Sequence, residues 1–226
     1  MLNSEEGNKV KISMPFSLYN CQKHGYDEIK VFPDLIVREI RDERIAKMIG
    51  SFLFELNDLY VERMLLRHLR IKGNVYCLDT LLSFFHRYIQ QLNEQDKDIN
   101  DDECFEIDWT INGILQKSLD YKFAPMLHDD AAYVCLFHST VGYIKRNGMS
   151  EDFKEKVTMN LNPTVFGTRR TRLSIEYAKS SKDPSFLPIL EEYKKSKNAI
   201  LCKASENAIE YILKKTGASI KKEKNE

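Results

Sequence analysis

Glycine and proline punctuate this chain sparsely, nine and six residues in 226. Architectures of many strands joined by tight turns draw heavily on both, so their scarcity argues against an all-β fold and for long helices. Cysteine is present five times, an odd number with no C-x-x-C pair. Cys21, Cys77, Cys104, Cys135 and Cys202 therefore read as free thiols of a reducing compartment, not as a disulfide framework. Neither sign of charge prevails, with 34 Lys and Arg against 34 Asp and Glu. No global field draws such a chain to nucleic acid or to an anionic membrane, and any contact of that kind has to come from a local patch. Long apolar runs are missing too, since charges interrupt every candidate. The opening "MLNSEEGNKVKISMPF" carries acids and lacks the apolar core of a leader, so a cytoplasmic protein without membrane contact is expected. Also absent are G-x-G-x-x-G, a phosphate-loop Gly-Lys-Ser/Thr, H-E-x-x-H and G-x-S-x-G. The signatures of nucleotide-dependent and common hydrolase chemistries go with them, and no cofactor is expected.

What is present is an ordinary globular composition, 42% apolar and 30% charged, arranged with helical periodicity. "KVKIS" alternates before Pro15, which predicts an extended or strand-like arm over residues 1–32. From Pro33 and Asp34, apolar residues recur at three- and four-residue spacing through Leu53 and Leu56 to Gly73-Asn74, a helix pattern with a helix start in front of it. A second amphipathic segment carries Leu81, Leu82, Phe84, Phe85 and Tyr88, with Asp79 as its expected cap. The polar stretch 93–103 reads as a solvated connection. "CFEIDWTINGILQKSLDYKF" resumes the period, with Phe105, Trp109, Ile111, Ile114, Leu115 and Leu119 as expected core and Pro125 as its end. Asp129 or Asp130 caps a further helix running to Gly148 with Phe137 buried, and Ser150 starts another to about Leu161. "NPTVFG" breaks that run, and three more helices follow from Thr168, separated by "SKDPS" and by residues 196–199. The expectation is all-α: a multi-helix body of roughly eight helices over 33–215, either one domain or two lobes joined by 93–103, and a charged flexible tail over 216–226.

Four groups of residues carry candidate chemistry. Arg63 and His68 stand five apart in "YVERMLLRHLRIKGN". This R-x4-H spacing resembles the signature of HEPN ribonucleases, helical proteins in which the resemblance implies that Arg and His act on the RNA 2′-hydroxyl without metal. As plain residues the same two are cations near a helix C-terminus, where the dipole favours them. "LHDD" places His128 beside Asp129 and resembles the doublet of HD-type metal phosphohydrolases. That resemblance implies an upstream ligand from His68 or His86 and a downstream acid such as Asp183, whereas as local structure the aspartates are caps. C-x2-H occurs twice, as Cys21–His24 and as Cys135–His138; thiolate and imidazole together suit tetrahedral zinc, and a buried thiol with a core histidine is the plainer account.

The densest basic stretch is "GTRRTRLS", with Arg169, Arg170 and Arg172 at the start of a helix rather than its end. Backbone N–H groups and guanidinium groups there point the same way, a combination that suits phosphate. The functional expectation is a non-enzymatic helical binding or regulatory protein whose partner is a protein or a nucleic acid met through Arg169, Arg170 and Arg172. The alternative is the metal-independent endoribonuclease using Arg63 and His68. Metal is not required by either reading, and a homo-oligomer is compatible with both.

Overall fold

A computed structural model describes residues 43–55, 63, 65–67, 69–95 and 101–217. The expected arm over 1–32, the tail beyond Gly217, and Leu56, Cys21, His24 and His68 lie outside the described residues. Every regular element among the described residues is helical, as the glycine and proline counts and the three-to-four periodicity require. The chain divides into two units between Leu119 and Asp120, and the polar stretch 93–103 falls inside the first.

In the first unit, α1 spans Glu43–Glu55, α2 Val75–Glu94 and α3 Asp101–Ile114, with a 3-10 turn over Lys117–Leu119; residues 63, 65–67 and 69 are helical as well. Helix α2 packs against both α1 and α3. It begins earlier than the pattern suggests, because Asn74, not Asp79, is its cap. The Asn74 carboxamide oxygen accepts from the N–H groups of Tyr76 and Cys77, satisfying two of the donors that a helix start leaves open. Leu53, Leu81, Phe84, Phe85 and Ile114 are buried as expected, while Leu82 is only half-buried.

Phe105 and Trp109 correct the expected core, being 49% and 37% exposed. Helix α3 buries Cys104, Ile107, Ile111 and Ile114 instead. At about 100° per residue those four define one arc, and Phe105 and Trp109 fall on the flank opposite, alongside Asp102 and Glu106. Helix α3 also stops at Ile114 and does not run on to Pro125. A 3-10 turn and a four-residue helix intervene, and Pro125 sits in the first turn of a further 3-10 segment, where its missing N–H costs nothing.

In the second unit, α4 spans Asp120–Phe123, α5 Asp130–Cys135, α6 Phe137–Asn147, α7 Glu151–Asn160, α8 Pro163–Ser181, α9 Leu187–Lys194 and α10 Ala199–Thr216. Helix α8 is the hub, packed on α6, α7 and α10, with α9 against α10. Around it lie aromatic rings in contact: Tyr133 and Tyr177 have centroids 5.0 Å apart, Phe153 and Tyr177 5.7 Å, and Phe137 and Tyr177 5.6 Å. Phe137 is half-buried, not fully so. The expected helix from Asp129 to Gly148 is two helices, because Leu136 leaves helical geometry at φ −101°, ψ 48°. The other boundaries follow their local chemistry. Asp129 caps α5 through Ala132 N–H at 2.7 Å, Ser150 caps α7 through Phe153 N–H, and Gly148 ends α6. Gly167 supplies the break in "NPTVFG": its φ of 74° and ψ of 165° suit glycine alone, so the long part of α8 starts at Thr168.

Candidate functional site

Arg63 takes part in a ladder within the first unit. Its guanidinium pairs with Asp102 at 3.4 Å, that of Arg67 pairs with Glu106 at 3.1 Å, and that of Arg70 lies 4.8 Å from the centre of the Trp109 ring. All three pairs are separated by 39 residues in sequence. The helical residues 63, 65–67 and 69 and helix α3 therefore run alongside each other in the same direction with one register. Gly113 completes the ladder: a Cβ there would stand 2.5 Å from the Arg70 side chain. Trp109 in turn stacks on Phe105, the rings 5.9 Å apart and 12° from parallel. The cations of "YVERMLLRHLR" that are described thus bind acids and an aromatic ring, and the geometry of Arg63 with His68 lies outside the described residues.

Cys135 and His138 flank the Leu136 break, one at the end of α5 and the other at the start of α6. Cys135 is buried, and the His138 ring meets Phe137 edge-on at 5.1 Å. Of the HD-type set, Asp129 spends an oxygen on its cap and Asp183 pairs with Lys154 at 2.6 Å while capping Ser185. Burial alone would raise the Asp183 pKa, but the hydrogen bonds from Lys154 and Ser185 outweigh it and hold the carboxyl below its usual value. No group of three or more His, Cys, Asp or Glu side chains is gathered in a metal-holding arrangement among the described residues.

The three arginines of α8 do not act as one patch. Arg169 and Arg172 are exposed on one side, and Arg170 turns into the unit, its side chain 22% exposed. On a helix, Arg169 and Arg172 lie about 60° apart, and Arg170 about 160° from Arg172. The Arg170 guanidinium pairs with Asp130 at 2.9 Å and rests 5.1 Å from the Tyr133 ring centre and 5.3 Å from that of Phe166. Lys156 joins the same carboxylate at 3.1 Å, donates to the carbonyls of Leu127 and His128 at 3.3 and 2.9 Å, and lies 5.4 Å from the Tyr133 ring centre. The Lys156 hydrogen bond, with Arg170 beside it, holds the Asp130 carboxyl below its usual pKa. Burial drives the Tyr133 phenol the other way, up. Arg170 and Lys156 thus clamp α5, α7 and α8 together through Asp130.

Charge is distributed unequally between the units. Asp120–Glu226 holds 19 of the 34 Lys and Arg and 14 of the 34 Asp and Glu, leaving 15 and 20 for Met1–Leu119. Equal and opposite surpluses of five hide behind the neutral total. The positive surplus sits between Pro163 and Thr216, where 11 Lys and Arg meet 6 Asp and Glu. Counting charge by segment would have shown it in the sequence, had the boundary been known. Structure adds the placement: the Asn198 amide donates to the Thr168 hydroxyl at 3.1 Å, joining the start of α10 to the start of α8. Arg169 is the next residue after Thr168 and Lys197 the one before Asn198, and both are exposed, as are Arg172, Lys194 and Lys195.

A depression of about 330 Å³ opens in the same unit, lined by Asp130, Asp152, Lys156, Asn160, Phe166 and Arg170 among others. Asn160 went unremarked in the sequence, since an asparagine at a helix end has no distinguishing pattern. No helix among the described residues is long and apolar enough to cross a membrane. No known protein family matches the chain, and no curated protein and no solved structure matches it to a significant degree.

Proposed function

We propose that this protein is a helical binding module, without chemistry of its own, that holds a nucleic acid on the basic face of α8 to α10, with Arg169 and Arg172 as phosphate contacts. The observation that carries the reading is the junction at Thr168 and Asn198, which gathers the exposed cations of two helix starts in the segment holding the positive surplus of the second unit. Closely set Lys and Arg neutralise successive phosphates and release their counterions, so binding of this kind is strong at low salt and indifferent to sequence. A cytoplasmic location and a regulatory role are consistent with such a module.

The test is fluorescence anisotropy of a labelled single-stranded RNA across a series of salt concentrations. Arg169→Ala with Arg172→Ala should flatten the log–log slope by about 1.4, roughly 0.7 for each lost phosphate contact on a single strand. Thermal stability should hardly change, because exposed arginines contribute little to folding. Arg170 is left in place, since its removal would strip Asp130 of a partner and confuse the two effects. A wild-type protein that binds no RNA at physiological salt, or a double variant with an unaltered slope, would refute the reading.

A further inference from the structure

The basic surplus of the second unit is not spread evenly along α8 to α10. Residues 163–175 hold Arg169, Arg170 and Arg172 and no acid, and residues 193–205 hold Lys194, Lys195, Lys197 and Lys203 and no acid. Over the rest of Pro163–Thr216 six Asp and Glu outnumber four Lys and Arg, so the surplus belongs to these two stretches alone. Two hydrogen bonds bring the stretches together. The Tyr193 hydroxyl, in the last turn of α9, donates to the Leu161 carbonyl at 2.6 Å, and the Asn198 amide, at the start of α10, donates to the Thr168 hydroxyl at 3.1 Å.

The loop between α9 and α10, which carries Lys195 and Lys197, is therefore anchored at both ends to the stretch leading into the long part of α8. Its interior is tied as well: Ser196 N–H donates to the Tyr193 carbonyl at 3.0 Å, and Asn198 N–H to the Ser196 hydroxyl at 3.1 Å. A loop ordered in this way loses little entropy when a ligand meets its lysines. The charges there are available. Arg170 is committed to Asp130, but Arg172, Lys195 and Lys197 are exposed and form no ion pair among the described residues, although Glu191 and Glu192 stand about a turn earlier on α9. Two neighbouring groups of unpaired cations suit a ligand whose anionic groups repeat, as phosphates do along a strand.

We infer that the loop joining α9 to α10 is the second half of the phosphate-binding face: Lys195 and Lys197 contact the phosphates next along the strand from those held by Arg169 and Arg172, and Asn198 is a positioning residue that holds the loop in place through Thr168. The inference rests on the nucleic-acid reading above and extends its footprint from one helix start to two chain segments. Asn198 has separate atoms for its two tasks. Its Oδ1 caps α10 by accepting from Ile200 and Leu201 N–H, and its amide group makes the tie to Thr168.

The same labelled RNA and salt series test it. Lys195→Ala with Lys197→Ala should flatten the log–log slope by about 1.4, roughly 0.7 for each phosphate contact on a single strand, with folding unaffected because both side chains are exposed. Thr168→Val removes no charge and leaves the cap of α10 intact. It should still flatten the slope, by up to about 1.4, and add nothing in the Lys195→Ala, Lys197→Ala background. A hydroxyl that served the fold alone would lower the unfolding midpoint and leave the slope as it was. Should Thr168→Val not fold, Asn198→Ser keeps a capping side chain, too short to reach Thr168, and should give the same flattening. An unaltered slope in the double lysine variant, or in whichever of Thr168→Val and Asn198→Ser folds, overturns the inference and leaves Arg169 and Arg172 as the contacts. Wild-type protein that binds no RNA sinks the nucleic-acid reading itself, and this extension with it.

Discussion

Ser174 and Ser205 are a matched pair in the second unit, both 0% exposed and both within helices, α8 and α10, and the structure assigns opposite signs to the same substitution. The Ser174 hydroxyl donates to the Arg170 carbonyl at 2.9 Å and shares a 2.6 Å hydrogen bond with the Tyr133 hydroxyl. The Ser205 hydroxyl has no partner among the described residues. Alanine gains about 0.5 kcal/mol of helix propensity at either position. At Ser205 it also removes a buried, unsatisfied hydroxyl, so Ser205→Ala should stabilise by about 1–2 kcal/mol. At Ser174 it leaves the Tyr133 phenol, 1% exposed, without a partner, and the desolvation of that group turns the change into a loss of about 1–2 kcal/mol. Tyr133→Phe alone should cost under about 1 kcal/mol, because Ser174 still reaches the Arg170 carbonyl, and in the Tyr133→Phe background the penalty of Ser174→Ala should vanish. Urea unfolding followed by circular dichroism reads the wild type and all four variants, and a shift in midpoint at constant slope reports stability alone. Both sites belong to one unit and therefore report one transition. If Ser205→Ala destabilised by more than about 1 kcal/mol, or if the two serines moved the midpoint in the same direction, the hydrogen-bond accounting would be wrong.

Removing Arg146 should cost about 3 kcal/mol in the same assay, because Asp120, its side chain 5% exposed, would lose the two bonds of 2.9 and 2.6 Å that it accepts from the guanidinium, while the one from Asn147 remains. Lys182 adopts φ 60°, ψ 21° just past α8, a left-handed conformation that L side chains resist, so Lys182→Gly should raise the midpoint by up to about 1 kcal/mol equivalent; no change would show that the side chain pays no strain there. Asp130 and Asp183 both have pKa values below those of an unfolded chain, so the stability they lend is complete above an unfolded carboxyl pKa of about 3.9 and is lost as pH falls through their lower folded values. Asp130→Asn with Asp183→Asn should therefore flatten the stability profile at acid pH, and a profile as steep as that of wild type would contradict the assignment. Burial pushes the Cys77 thiol up to about 12, so mass-mapped alkylation of the native protein at neutral pH should label half-buried Cys202 well before Cys77.

The helical class was legible in the sequence because it depends on local chemistry. A three-to-four spacing, a scarcity of glycine and proline, and caps such as Asp129, Ser150 and Gly148 act within a few residues of where they are read. The break at "NPTVFG" was legible for the same reason, Gly167 being able to take a conformation that its neighbours cannot. Where neighbours of equal merit competed, local pattern could not choose: Asn74 took the capping role from Asp79, and α3 turned Cys104, Ile107 and Ile111 inward, leaving Phe105 and Trp109 outside. Helical spacing states that one face is buried, but a stripe with apolar residues on two flanks leaves which flank to the partner helix. The candidate site lay further beyond reach. Three arginines in four positions look like one patch on paper, and helical rotation sends Arg170 to Asp130 while Arg169 and Arg172 lie on the exposed side. The neutral total concealed two units of opposite charge until the boundary at Leu119 and Asp120 was known. Sequence by itself determined the helices, because hydrogen bonds and caps close over one turn. Only tertiary structure decided which cations are spent and which are exposed, because that depends on acids such as Asp130, forty residues away in the chain and 2.9 Å away in space.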